Sequence, residues 1–469
     1  MVDERDILVS GDIISEPERL RSILARGVDA ALQGGVEGGG EARVVRLVVR
    51  LMPFDPHDWL AAQDLMPRIY WHGRNDDWST AAVGSADRAY GDYGADFDSL
   101  RSQLDVVLPG SDARVRYFGG FRFDAAAEAD KDWKEFGTFS FTLPRFVLMR
   151  GAERSMLACN LLLPRDTRRR QEILDEIGRL RFPVRTRPEA LPLPLSRSDE
   201  PQRSAWARSV AWALDAFGDE ETALKKVVLA RRVVFGFPES LDPIAILRQL
   251  EADTENCFHF GFQFSEGAAF IGATPERLFR RSGRRVWTEA LAGTRPRGGT
   301  EAEDRQAVGS MLASDKVRRE HGYVRESIRQ ALDPLCDEFS MAGKPTGLRL
   351  ARGWHLVSRS RGLLKEGVHG SEVMRALHPT PAVGGHPTGR ALQAIRQRER
   401  FDRGWYAGPI GWIGSHGAEF AVALRCGLVR HHTLSLYSGA GIVDGSDPEA
   451  EWAEIEQKIG DFVKVFGLS

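Results

Sequence analysis

The sequence predicts an antiparallel α+β fold, and three observations carry that expectation. Short apolar runs bounded by polar turns recur along much of the chain, as the strands of an antiparallel sheet do. Hairpin-type pairs dominate, and strand–helix–strand spacing is irregular, so a regular parallel α/β order does not fit. With 469 residues, 42% apolar and 28% charged, the chain buries a sizeable core without disulfide or metal staples.

Taken in order, DILVS (6–10) reads as a strand, EPERLRSILARGVDAAL as a helix and QGGVEGGGE as a Gly-rich loop leading into the alternating strand ARVVRLVVRL. Between 60 and 165, PRIYWHG, VRYFGGFRF, FTLPRFVLMR and SMLACNLLL read as strands. A charged helix spans 166–181, and RTRPEALPLPLSRSDEPQ (185–202) is an extended linker with four prolines. Beyond it, QRSAWARSVAWALDAF forms a helix before the strand KKVVLARRVVF, and a helix near 243–252 precedes the hairpin CFHFGFQF/AAFIGATPE. Further strands are LFRRSGRRVWTEALAG, LRLARGWHLVS, WYAGPIGWIG, EFAVALRCGLV and HHTLSLYSGAGIV, with helices near 301–333, 371–377, 388–397 and 448–466.

Composition excludes several functions. Lys and Arg total 64 against 66 acidic residues, a formal charge of −2, so no basic footprint for nucleic acid or an anionic membrane exists. No run of about 18 apolar residues occurs, so no span of a bilayer is expected. The opening MVDERDILVSGD is polar and acidic, unlike a signal or transit peptide, which predicts a cytoplasmic protein. Cys159, Cys257, Cys336 and Cys426 are scattered and form no C-x-x-C pair, which reads as free thiols in a reducing compartment. Only nine of the basic residues are lysines. GC-rich coding explains that bias, yet a lysine retained in an apolar run remains a chemical candidate, since only lysine readily gives up its proton.

Four segments hold candidate chemistry. In GSDPEAEWAEIEQKIGDF, Ser446 or Asp447 can cap a helix with Pro448 in its first turn. Glu451, Glu454 and Lys458 fall at i, i+3 and i+7, on one face. That face is either solvated and held by a Glu454–Lys458 pair or a set of hard oxygen ligands suited to Mg²⁺. In SDKVRREHGYVRESIRQAL a Ser314 cap starts a helix bearing Glu320, an ordinary surface acid unless it meets Glu454 across a shared metal. In GATPERLFRR, Pro275 ends a strand and leaves Glu276 at its mouth. Glu276 is there either a surface partner of Arg277 or Arg280 or, if buried, a general acid. In KKVVLAR, an exposed Lys225 turns Lys226 inward, making it either a snorkelling lysine or a base of depressed pKa. TEALAGTRPRGG, HPTPAVGGHPTGRAL and YSGAGIVDGS read as Gly-rich turns that admit an anionic ligand to backbone N–H groups. None is a P-loop or a dinucleotide fingerprint. His378 in its Pro-rich turn and His321 beside Glu320 read as structural, and no two histidines stand at metal-ligand spacing along the chain.

Ten segments in fixed order, KKVVLAR, GATPERLF, TEALAGTRPRG, SDKVRREH, GWHLVS, LHPTPAVGG, GWYAGPIGWIG, ALRCGLV, YSGAGIV and GSDPEAEWAEIEQK, resemble the chorismate-utilising enzymes, and within them the isochorismate synthase branch. The resemblance covers roughly 205–466. Residues 1–200 match as the variable N-terminal part and 201–469 as the chorismate-binding catalytic part of one structural domain. The resemblance implies two large packed antiparallel β-sheets flanked by helices, with Mg²⁺ and chorismate in a deep cleft. It implies Lys226 as the base that activates water for attack at C2 and Glu276 as the acid that protonates the departing C4 hydroxyl. Glu320 and Glu454 would bind Mg²⁺, with Glu451 in support. Tyr406 and Arg425 would hold the enolpyruvyl carboxylate, Gly439 and Gly441 would offer backbone contacts, Lys458 would face the ring carboxylate, and His355 would line the cleft. Relatives that install an amino group carry Lys at the position of Ala290 and a Gln-type residue at that of Lys226, so Lys226 with Ala290 points to water as nucleophile and to no obligate glutaminase partner. Val317 departs from the acid that relatives often carry three residues before Glu320. The implied role is formation of isochorismate for menaquinone. A salicylate synthase and a non-catalytic chorismate-binding protein are the alternatives, and a siderophore pathway is an alternative destination.

Overall fold

The computed structural model describes residues 7–34, 42–109, 111–183, 190–219, 223–349 and 353–467. The expected loop at 33–41 and the linker at 185–202 lie partly outside these residues.

All the described strands join one hydrogen-bonded network, which divides into two sheets sharing a long ladder between Ser79–Gly91 and Phe139–Arg150. The reason lies in Phe139–Arg150. Its first residues, Phe139–Thr142, pair with Tyr117–Phe121, while Phe146–Arg150 pair with Ser155–Leu163. Between them stands Pro144, which has no N–H to give a ladder. Opposite it the partner strand shifts register between Ser85 and Asp87. Proline and bulge thus mark the point where one sheet gives way to the other.

The first sheet continues from the shared ladder through Arg68–His72, Phe258–Ser265, Ala268–Thr274, Cys426–Arg430 and Thr433–Val443 to Lys226–Gly236. The second runs from Tyr117–Phe121 through Pro409–Ile413, Gly417–Val422 and Arg277–Ser282 to Arg285–Pro296 and Gly353–Leu364. Every described pair is antiparallel except Ile7–Ile14 with Arg43–Leu51. There the helix Pro17–Gly34 makes the crossover that a parallel pair requires.

Aromatic side chains fill the space beside the site. Trp405 meets Phe136, Phe262, Phe264 and Phe270 edge-on, with ring centroids 5.3–6.3 Å apart. Each such contact adds about 0.5–1.5 kcal/mol beyond area burial. The anchor matters because the next residue, Tyr406, reaches the functional cleft.

Several expected elements divide. LFRRSGRRVWTEALAG is a hairpin, Arg277–Ser282 and Arg285–Pro296, turning at Gly283 with φ 58°. TEALAG therefore lies on a strand rather than in a turn. EFAVALRCGLV is two strands, Gly417–Val422 and Cys426–Arg430, separated by Ala423–Arg425 with Arg425 at φ 46°. The helix near 301–333 is two, Glu301–Ala313 and Asp315–Leu332, because Ser314 leaves helical geometry and caps the second. The linker contains the edge strand Ser196–Glu200. No described helix is long and apolar enough to cross a membrane.

Candidate active site

Both sheets and two helices contribute to a cleft of about 270 Å³ lined by Lys226, Glu276, Glu320, His355, Tyr406, Arg425, Gly439, Gly441, Glu451, Glu454 and Lys458. Ala290 is the exception among the expected contacts. Its neighbours Leu291 and Gly293 line the cleft, whereas Ala290 is fully buried in the main core on the opposite face of the pleat. It shapes the strand and does not present a surface to a ligand in the cleft.

Lys226 opens the strand Lys226–Gly236, and the alternation expected from the sequence holds: Lys225 is exposed and Lys226 is 3% exposed. Burial lowers its pKa, and the nearby Glu320 and Glu276 carboxylates oppose that shift. Gly441 makes room for it. A Cβ there would stand 3.0 Å from Lys226 Cε and 3.3 Å from Nζ.

Glu276 is buried, and the surface pairs weighed for it do not form. Arg277 turns instead to Glu419, at 3.0 Å, and Arg280 to Asp76, at 3.9 Å. Burial, reinforced by the nearby Glu289 carboxylate, pushes the Glu276 carboxyl up to about 8. Behind it Arg74 pairs with Glu289 and donates to the Pro275 carbonyl. Arg74 and Glu289 escaped the sequence reading because their partners lie some 200 residues apart and only the folded sheet joins them.

The C-terminal helix Pro448–Val463 is capped by Asp447, whose carboxylate accepts from Ala450 N at 2.8 Å. Its Glu454–Lys458 pair forms at 2.7 Å, and Lys458 also donates to the Gly439 carbonyl at 3.0 Å. Pair and cleft position therefore coexist. Glu320 approaches on the separate helix Asp315–Leu332. Glu320, Glu451 and Glu454 bring three carboxylates from two helices to one cleft, hard oxygen donors of the kind that could hold Mg²⁺. Val317 lines the cleft and packs on Gly293, where φ is 75° and a Cβ would meet Val317 Cγ1 at 2.6 Å.

Tyr406 is placed by a network the sequence reading missed. Arg403 bonds Glu399 and donates to the carbonyls of Val228 and Val383 at 2.8 and 3.0 Å, while Glu399 accepts from Ala230 N at 2.8 Å. This ties the turn before Tyr406 to the strand bearing Lys226. The i,i+4 spacing of Glu399 and Arg403 in RERFDRGWYAG was its available signal. Tyr406 stacks on Tyr437, with centroids 5.6 Å apart. The His355 imidazole is pushed down to about 3, chiefly by burial and then by Arg425 and Lys458, so it is neutral at neutral pH. His321 and His378 are structural, engaging Ser358 Oγ at 2.8 Å and the Phe123 carbonyl at 2.9 Å. All four cysteines are free and buried.

Residues 30–467 match the family of chorismate binding enzymes. The chain is 35% identical over 441 residues to isochorismate synthase 2, chloroplastic, of Arabidopsis thaliana, covering 87% of this chain and 77% of that protein. It is 35% identical over 418 residues to the salicylate biosynthesis isochorismate synthase of Pseudomonas aeruginosa, covering 86% of each. Among solved structures, MenF, the menaquinone-specific isochorismate synthase from Escherichia coli, superposes with a TM-score of 0.81 at 28% identity, covering 94% of this chain and 99% of that one.

Proposed function

The chain belongs to the chorismate binding enzyme family and is an isochorismate synthase; from that premise we propose that Lys226 and Glu276 move the two protons of the reaction and that Mg²⁺ serves the cleft as cofactor. The observation that carries this reading is a buried amine and a buried carboxyl in one cleft whose proton affinities are pushed in opposite directions, the amine down and the acid up to about 8. Burial thus brings the two proton affinities toward each other, so that the amine more readily gives up its proton to become a base and the carboxyl keeps one to donate as an acid.

Water is a weak nucleophile and hydroxide a weak leaving group, so exchange at the ring needs both. Neutral Lys226 takes a proton from water as its oxygen bonds to C2. Both ring double bonds shift, C1=C2 to C6=C1 and C5=C6 to C4=C5, and the C4–O bond breaks while Glu276 supplies the proton that releases a second water. Each transfer is worth about 10²–10⁴-fold. Atoms balance, and the reverse reaction exchanges the two roles. Arg425 and Tyr406 hold the enolpyruvyl carboxylate, and Lys458 faces the ring carboxylate. Glu320, Glu454 and, in support, Glu451 would hold Mg²⁺, which when bound neutralises and orients that ring carboxylate. The product feeds menaquinone formation in this reading, supported by likeness to MenF.

Product analysis tests it: purified protein with chorismate and Mg²⁺, resolved by liquid chromatography beside a metal-free control. Metal-dependent isochorismate alone supports the proposal. Salicylate with pyruvate would instead establish a salicylate synthase, and metal-independent turnover would remove Mg²⁺ from the site.

A further inference from the structure

A second cluster of ligating side chains lies outside the cleft. His72 ends the strand Arg68–His72, and His259 stands opposite it in register on Phe258–Ser265. Glu251 comes from the helix Pro243–Asp253. One ligating atom from each of the three lies within 4.8 Å of the others. His72 Nδ1 is 2.6 Å from Glu251 Oε1, and His259 Nδ1 is 3.9 Å from the same oxygen.

The hydrogen bonds around the cluster decide which nitrogens face inward as acceptors. Thr254 spends its hydroxyl proton on the Leu250 carbonyl, so its oxygen accepts from His259 Nε2 at 2.7 Å. That leaves the lone pair of His259 on Nδ1. This buried atom has no hydrogen-bond partner among the described residues, and the residue is 5% exposed. The buried, unpartnered lone pair of His259 Nδ1 thus lies 3.9 Å from the half-buried Glu251 Oε1, and a cation between them would satisfy it. His72 Nε2 sits 3.0 Å from the Asp76 carbonyl, the kind of outer hydrogen bond that leaves Nδ1 to a metal. Tyr70 donates to Glu251 Oε2 at 2.6 Å and His57 Nε2 lies 3.2 Å from that oxygen, while Oε1 is hydrogen-bonded to His72 Nδ1 at 2.6 Å, the contact that a bound ion would replace.

We propose that His72 Nδ1, His259 Nδ1 and Glu251 Oε1 form a binding site for a divalent transition-metal ion of the zinc class, separate from the catalytic cleft. Two imidazoles joined to one carboxylate make a donor set that suits zinc, whereas Mg²⁺ takes oxygen donors alone. Tetrahedral zinc sets its ligand atoms about 3.4 Å apart. The 2.6 and 3.9 Å separations bracket that value, and a swing of Glu251 away from His72 moves both toward it. A fourth position remains for water. The ion clamps the strand end that continues, two residues on, to Arg74 behind Glu276.

The test uses the full chain stripped with a chelator. Zn²⁺ is titrated against a chromophoric competitor, and Co²⁺ is followed by visible absorption, for the wild type and for His259→Gln, His72→Gln and Glu454→Gln. We expect one tight equivalent in the wild type and in Glu454→Gln, with a thermal midpoint that rises with Zn²⁺ concentration. In both histidine variants the affinity falls by at least the roughly 10–100-fold that loss of an outer-sphere partner costs. If His259→Gln does not fold, the half-buried His72→Gln and the wild-type Co²⁺ spectrum decide. Absence of a tight equivalent overturns the proposal. So do wild-type affinity in a folded histidine variant, loss confined to Glu454→Gln, and a Co²⁺ spectrum of purely octahedral oxygen ligation.

Discussion

Burying an amine and a carboxyl costs stability, and in the proposed mechanism the same burial prepares both groups for proton transfer. Lys226→Ala should abolish turnover while circular dichroism and chorismate binding persist; a wild-type rate would remove Lys226 as the base. Glu276 must hold its proton to act as the acid, and its carboxyl is pushed up to about 8. The rate constant kcat/KM should therefore fall as pH rises through about 8, read from a pH–rate profile. Gly441 gives a sharper probe of the base, because its missing Cβ is what leaves Lys226 its channel. Gly441→Ala should lower kcat by on the order of 10–100-fold, the effect of a small misplacement of a reacting group, with the fold intact by circular dichroism. At this scale the sequence already exposed the inward turn of Lys226, since it follows from strand alternation. It could not expose Arg74 beside Glu289, or His259 beside Glu251. Those contacts depend on which strands and helices become neighbours, not on local spacing.

Two helices carry the acidic side of the cleft, and the seam between one of them and the sheet can be tested directly. Gly293, on Arg285–Pro296, lets the first turn of Asp315–Leu332 approach until Val317 touches the strand. Gly293→Ala would strain a φ of 75° and push Val317 outward, and Glu320 lies three residues further along that helix. We expect the Mg²⁺ concentration for half-maximal activity to rise by about 10–100-fold, as when a supporting contact of a metal site is lost. Val317→Ala in the same chain should restore part of it; no change in Mg²⁺ dependence would separate this seam from the metal site. The spacing of Glu451, Glu454 and Lys458 made the C-terminal helix face legible, whereas Ser79–Gly91 was not. That strand reads STAAVGSADRAYG, and small residues carry too little apolar contrast for alternation to show. The Arg277–Ser282/Arg285–Pro296 hairpin read as one strand for the opposite reason, because strand-forming residues on both sides mask the turn at Gly283.

Across the whole molecule, antiparallel character was legible from the hairpins, but the division into two sheets was not. It rests on Pro144 opposite a register shift, and neither residue type announces a change of sheet. That division lets strands from both sheets open onto one cleft, so the protonation of a cleft residue bears on the stability of the entire fold. Glu276 supplies the clearest case. Its carboxyl is raised from 4.5 to about 8 in the folded chain, so between those values the folded state binds more protons than the unfolded state. Stability therefore declines as pH rises across that window: the contribution is intact below about 4.5 and lost as pH passes through about 8. Glutamine keeps the shape and remains neutral. Glu276→Gln should accordingly lose less stability than the wild type between pH 5 and about 8.5, and should be the more stable of the two at the alkaline end although it is inactive. Denaturant midpoints measured at intervals across that range check this. Parallel profiles for the two proteins would mean that the folded chain holds Glu276 ionised at neutral pH, and the acid of the reaction would have to be sought elsewhere.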